Sequence, residues 1–131
     1  MEKSLTICFP CVARPGAGWP CTIRVSKQGW VARKAANDIL IAMNPETAQQ
    51  DVLALEAGAA VIYDESQKLN ELRNDLTFYP VPFDQITAAT GAEAKVRKLV
   101  KNMVYVGIAA QLFSIDMEKI EQSVRKQFSK R

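Results

Sequence analysis

Ile39-Leu40-Ile41-Ala42-Met43-Asn44-Pro45-Glu46 is the stretch whose reading decides the fold. Five consecutive apolar residues suit a strand covered on both faces, as in parallel sheets. Asn44 then has the short polar side chain of a helix N-cap, Pro45 fits the first helical position, and Glu46 complements the positive end of the helix dipole. The expected helix runs from Pro45 to about Glu56 and buries Val52, Leu53 and Leu55, with Gly58 placed to end it. Ala59-Ala60-Val61-Ile62-Tyr63 reads as a second buried strand. Together these segments form a βαβ unit, for which a right-handed crossover is expected.

Toward the N-terminus, Ser4 to Phe9 has the composition of a short strand. The first twenty residues otherwise read as loop, because Pro10, Pro15, Gly16, Gly18 and Pro20 interrupt regular structure. Thr22 to Val25 alternates and is β-branched, Ser26 to Gly29 suits a hairpin turn, and Trp30 to Arg33 suits its return strand. Toward the C-terminus, Leu76 to Tyr79 reads as a strand closed by Pro80 and Pro82. Thr90 and Glu93 have capping-box spacing before a long helix, whose apolar stripe is Val96, Leu99, Val100, Met103, Val104 and Ile108. Asp116 fits the cap of a last helix using Met117, Ile120, Val124 and Phe128. No repeat or linker divides the chain. The expectation is an α/β fold: a mainly parallel sheet flanked by helices, three-layer, one domain over residues 1–131 with a β-hairpin near the N-terminus.

Composition narrows the chemistry. The 131 residues are 48% hydrophobic and 24% charged, ordinary for a globular domain. There is no histidine, so Ser-His-Asp and Cys-His devices are excluded within the chain, and so is the usual zinc ligand. A net charge of +3 is too small to indicate nucleic acid, and leaves room for an anionic ligand or acidic partner. No apolar run approaches the roughly 20 residues that span a bilayer. The opening Met1-Glu2-Lys3-Ser4 does not resemble a secretory leader. Three cysteines, an odd count, suit free thiols in a reducing cytoplasm, with no membrane association.

Several local patterns have both a chemical and a structural reading. Cys8-Phe9-Pro10-Cys11 has the spacing of a metal or redox pair, with Cys21 further on. A fourth ligand is lacking, and the glycines and prolines around it do not suit a redox helix start. Pro15-Gly16-Ala17-Gly18 contains G-x-G, which is equally a tight turn. Asn44 lies at the carboxyl end of a parallel strand, where open α/β sheets bind ligands; plain capping also explains it. Lys95, Arg97, Lys98 and Lys101 form either a solvated basic face or a contact for an acidic or phosphate-bearing partner. Trp19 and Trp30 bracket the hairpin and suit either an interface or a core. Asp64, Glu65 and Asp84 read as turn or cap residues, so no catalytic residue is assigned.

Phe9-Pro10, Thr22 through Arg33, Asp38 through Asn44, Lys101-Asn102-Met103-Val104-Tyr105-Val106-Gly107 and Ile115 through Ile120 together resemble the gamma domain of 2-oxoacid:ferredoxin (acceptor) oxidoreductases. The similarity is to the form fused to, or partnering, the alpha subunit of 2-oxoglutarate:ferredoxin oxidoreductase. It covers about residues 8–131, and the family's N-terminal strand, glycine-rich turn and helix have no counterpart, so the domain is expected to be shortened there. The resemblance implies a complex that decarboxylates a 2-oxoacid oxidatively to an acyl-coenzyme A, with thiamine diphosphate and iron–sulfur clusters on other subunits. It implies a chain inactive alone, supporting assembly and the coenzyme A side of the site. Phe9, Pro10, Gly18, Asn44 and Asn102 are the expected partner- or cofactor-facing positions, with no metal ligand among them. The expected partners are other oxidoreductase subunits or a second copy of the chain, without nucleic acid. The alternatives are a stand-alone scaffolding or binding homo-oligomer and a small anion- or nucleotide-binding regulator using Asn44 and the basic helix.

Overall fold

A computed structural model describes residues 5–11, 19–25 and 36–129, the first two segments at the level of the backbone. The expected turn at 26–29, the return strand at 30–33 and the glycine-containing stretch 15–18 lie outside the described residues. Contacts divide the chain into two compact units, Met1–Pro82 and Phe83–Arg131.

The first unit is a five-stranded sheet in the order β2-β1-β3-β4-β5. Its strands are β1 (Leu5–Cys11), β2 (Trp19–Val25), β3 (Ile39–Ala42), β4 (Ala60–Asp64) and β5 (Thr77–Val81). β1 and β2 are antiparallel, with Phe9 opposite Cys21 and Pro10 opposite Pro20. The remaining pairings are parallel: Ile7 opposite Ile39, Ile41 opposite Ile62, and Tyr63 opposite Pro80. The α/β class with a mainly parallel sheet is therefore the one the sequence indicates.

Three local expectations are corrected here. The first twenty residues are not all loop: β1 continues through Pro10, and β2 begins at Trp19. β5 likewise continues through Pro80 instead of being closed by it. β5 is the outer strand of the sheet, and an outer strand is where a residue without an N–H is tolerated. Third, α1 (Pro45–Leu53) stops before Glu56, and Leu53 is 59% exposed.

Asn44 caps α1 as expected, its Oδ1 accepting from the Glu46 amide at 3.2 Å. Ala48 and Val52 of α1 pack with Leu40, Ala42, Val61, Tyr63 and Leu69 in one buried cluster. Ile41 and Ile62 lie on the opposite face of the same strands and are also buried, which explains the unbroken apolar runs. The end of α1 is closed from a distance. Arg73 donates to the last-turn carbonyls of Val52 at 3.2 Å and Leu53 at 3.4 Å and to the Leu55 carbonyl just beyond the helix at 2.7 Å. Gly58 has φ +84, and its amide donates to the Asp75 carbonyl at 2.8 Å. It therefore serves the turn into β4 and does not end α1.

The second unit contains α2 (Phe83–Ala89), α3 (Arg97–Leu112) and α4 (Met117–Phe128). The Thr90–Glu93 capping box does not form. Thr90 Oγ1 donates to the Thr87 carbonyl at 2.7 Å, closing α2, and Gly91 follows with φ +65. α3 begins only after Val96, which offers no side-chain cap. Its buried positions are Tyr105 and Ala110, whereas Val96, Leu99 and Met103 of the expected stripe are exposed. Val100, Val104 and Ile108 of that stripe are half-buried, and Phe83 packs on Tyr105 with ring centroids 4.0 Å apart. α4 starts as expected, Asp116 accepting from the Glu118 amide at 2.9 Å.

Candidate functional site

Two places in the fold hold polar groups in a defined arrangement. The first is the carboxyl edge of the parallel strands. Asn44 ends β3 there and caps α1. One strand over, buried Asp64 ends β4; its Oδ1 accepts from the Ser66 amide at 3.1 Å and from the Ser66 hydroxyl at 2.8 Å. Tyr63 donates its phenol to Asn70 Oδ1 at 2.8 Å and lies edge-on to Phe78. Burial raises the Tyr63 phenol above its ordinary value, so it remains a neutral donor. These polar groups fix the loops after β3 and β4 and shape this edge into a polar rim.

The second place lies within Phe83–Arg131. Asp84, Thr87 and Ala88 of α2 and Arg97, Lys98 and Lys101 of α3 line an open basin of about 490 Å³. Lys101 Nζ lies 3.7 Å from the Asp84 carboxylate and 5.6 Å from the Phe83 ring centre, which orients its ammonium group. Because α3 starts at Arg97 and not after a Thr90 cap, Arg97 and Lys98 fall in its first turn. No acidic residue accompanies them there.

The sequence-expected site residues are distributed as follows. Phe9 and Pro10 lie in β1 opposite Cys21 and Pro20. Gly18 lies outside the described residues. Asn44 is at the strand edge, and half-buried Asn102 is in α3, where none of the described residues accepts from or donates to its amide. Cys8 and Cys11 lie within one strand, opposite Thr22 and Trp19, instead of at the strand-to-helix turn of a redox pair. Among the described residues, no group of three or more potential metal-ligating side chains converges. Sequence reasoning missed Thr87, the Arg73 clasp and the Phe83–Tyr105 stack. Partners so far apart along the chain leave no mark in local periodicity. The short spacing of Arg73 and Asp75 was the one available clue to the clasp.

The family model described as pyruvate ferredoxin/flavodoxin oxidoreductase matches residues 12–131, most of the chain. No curated protein and no solved structure matches the chain.

Proposed function

This chain belongs to the pyruvate ferredoxin/flavodoxin oxidoreductase family, and from that premise we propose that it is a gamma-type subunit or domain of a 2-oxoacid:ferredoxin oxidoreductase that contributes structure and the coenzyme A side of the site. The observation that carries this reading is the family match over residues 12–131 of an α/β chain with a mainly parallel sheet. The residue inventory supports a division of labour. With three cysteines and no histidine, the chain falls one thiolate short of a four-cysteine cluster and lacks the commonest general base. Thiamine diphosphate would supply the decarboxylation chemistry and the clusters the electron path, both on neighbouring polypeptides. The chain's own contribution is surface. Its strand-edge rim at Asn44 is polar, and Val96, Leu99, Met103 and Val106 expose an apolar stripe along α3 suited to a partner subunit.

The test is affinity purification of the tagged chain from native extract. A thiamine-diphosphate subunit should co-purify, with visible absorbance from iron–sulfur centres and 2-oxoacid oxidation by the complex. The isolated chain should show none of that turnover. A stable homodimer with no oxidoreductase subunit attached would overturn the reading in favour of a scaffolding role.

A further inference from the structure

α3 begins in an arrangement that is unfavourable for a helix left to itself. Its first-turn amides receive no side-chain cap, and no acidic residue lies in that turn. Arg97 and Lys98 occupy that turn, where the helix dipole repels cations. Lys101 lies one turn further on and borders the same basin. The fourth element is Thr87, which is 7% exposed and lines that basin from α2. Its Oγ1 is buried without a hydrogen-bond partner. A helical threonine ordinarily bonds back to a carbonyl of the preceding turn, and an unused buried hydroxyl is costly. Rotation about χ1 between its two helical wells re-aims that hydroxyl without moving the backbone.

An oxyanion resolves all of these features together. It accepts from the free amides of the first turn, neutralises the cations and gives the Thr87 hydroxyl an acceptor. Asp84 lines the basin as an opposing charge. Its side chain is 86% exposed and its contact with Lys101 is long, so it can swing into solvent when an anion enters. We propose that the basin between α2 and α3, formed by Thr87, Arg97, Lys98 and Lys101, binds a phosphate group. The site lies wholly within residues 83–131 and stands whether or not the chain serves an oxidoreductase.

The experiment uses the full chain and inorganic phosphate. Isothermal titration should show saturable phosphate binding that sodium chloride at matched ionic strength does not reproduce. In an amide NMR titration, the Arg97, Lys98 and Leu99 signals should move with phosphate. Arg97→Gln/Lys98→Gln should weaken binding by roughly tenfold or more, as loss of charge-assisted hydrogen bonds implies. Thr87→Val should weaken it by less, and Lys95→Gln, outside the basin, should leave it unchanged. A parallel arm with a nucleoside monophosphate separates two sources. Tighter binding than phosphate identifies a phosphorylated metabolite as the ligand, and equal binding identifies phosphate itself. Phosphate shifts no larger than those from chloride, or unmoved amides at 97–99 in the unmutated chain, would overturn the proposal even where the variants fold poorly.

Discussion

Ser114 has φ 51, a left-handed conformation that costs a residue with a Cβ about 1–2 kcal/mol. It is held there by the end of α3. The Ile115 amide donates to the Ala110 carbonyl at 2.8 Å and the Ser114 amide to Gln111 at 3.4 Å, the pair of bonds that usually recruits glycine. Ser114→Gly should therefore stabilise the chain by up to about 1 kcal/mol in urea unfolding. An unchanged or lower midpoint would show that the strain is relieved elsewhere. Asn44→Ala removes a cap and should cost about 1 kcal/mol. Asp75 adds a pH dependence. The hydrogen bonds from Arg73 hold its carboxyl below the usual value of 3.8. Because the folded value is the lower one, the pair's stability is present above the unfolded value and disappears as pH falls through the folded one. Asp75→Asn should flatten the acid limb of the stability curve below about pH 4. If that limb is as steep in the variant, the pair is not what protons disrupt.

At the scale of elements, legibility followed the range of the deciding interaction. β3, the α1 cap and β4 were readable because unbroken apolar runs and an Asn-Pro-Glu start are local signals that packing reinforces. The start of α3 was not. Thr90 and Glu93 have the right spacing for a cap, but the Thr90 hydroxyl is taken by the Thr87 carbonyl of the preceding helix. Likewise Leu53 follows Val52 in an apolar run, yet α1 ends there and turns it to solvent. Paired truncations distinguish the two residues' environments. Leu40→Ala, at a fully buried β3 position, should cost about 2–5 kcal/mol, and Leu53→Ala should stay within about 0.5 kcal/mol of the parent. Equal losses would mean that Leu53 is covered in solution. For α3, Lys98→Glu exchanges a repelled first-turn charge for a favoured one. It should raise stability by about 0.3–1 kcal/mol while suppressing the phosphate response.

Over the whole molecule, the charge is unevenly shared. Residues 83–131 carry nine Lys and Arg against five Asp and Glu, whereas residues 1–82 carry eight against nine. The net +3 therefore conceals a nearly neutral sheet unit and a clearly basic helical one. Sequence composition gave the sign but not this division, because the boundary at Pro82 emerges only from contacts. Two ion pairs between described residues of the helical unit, Lys101–Asp84 and Arg125–Glu121, are exposed enough to contribute little. Lys95, Arg97 and Lys98 add mutual repulsion that is strongest at low ionic strength, where the Debye length is long. Adding sodium chloride up to physiological ionic strength, where screening reaches about 8 Å, should raise the thermal midpoint. Lys98→Gln should raise the low-salt midpoint and shrink that salt effect, because it removes one of the repelling charges. A midpoint that falls with salt in the parent would mean that attraction, not repulsion, governs the basic unit. The start of α3 would then need no anion to relieve it.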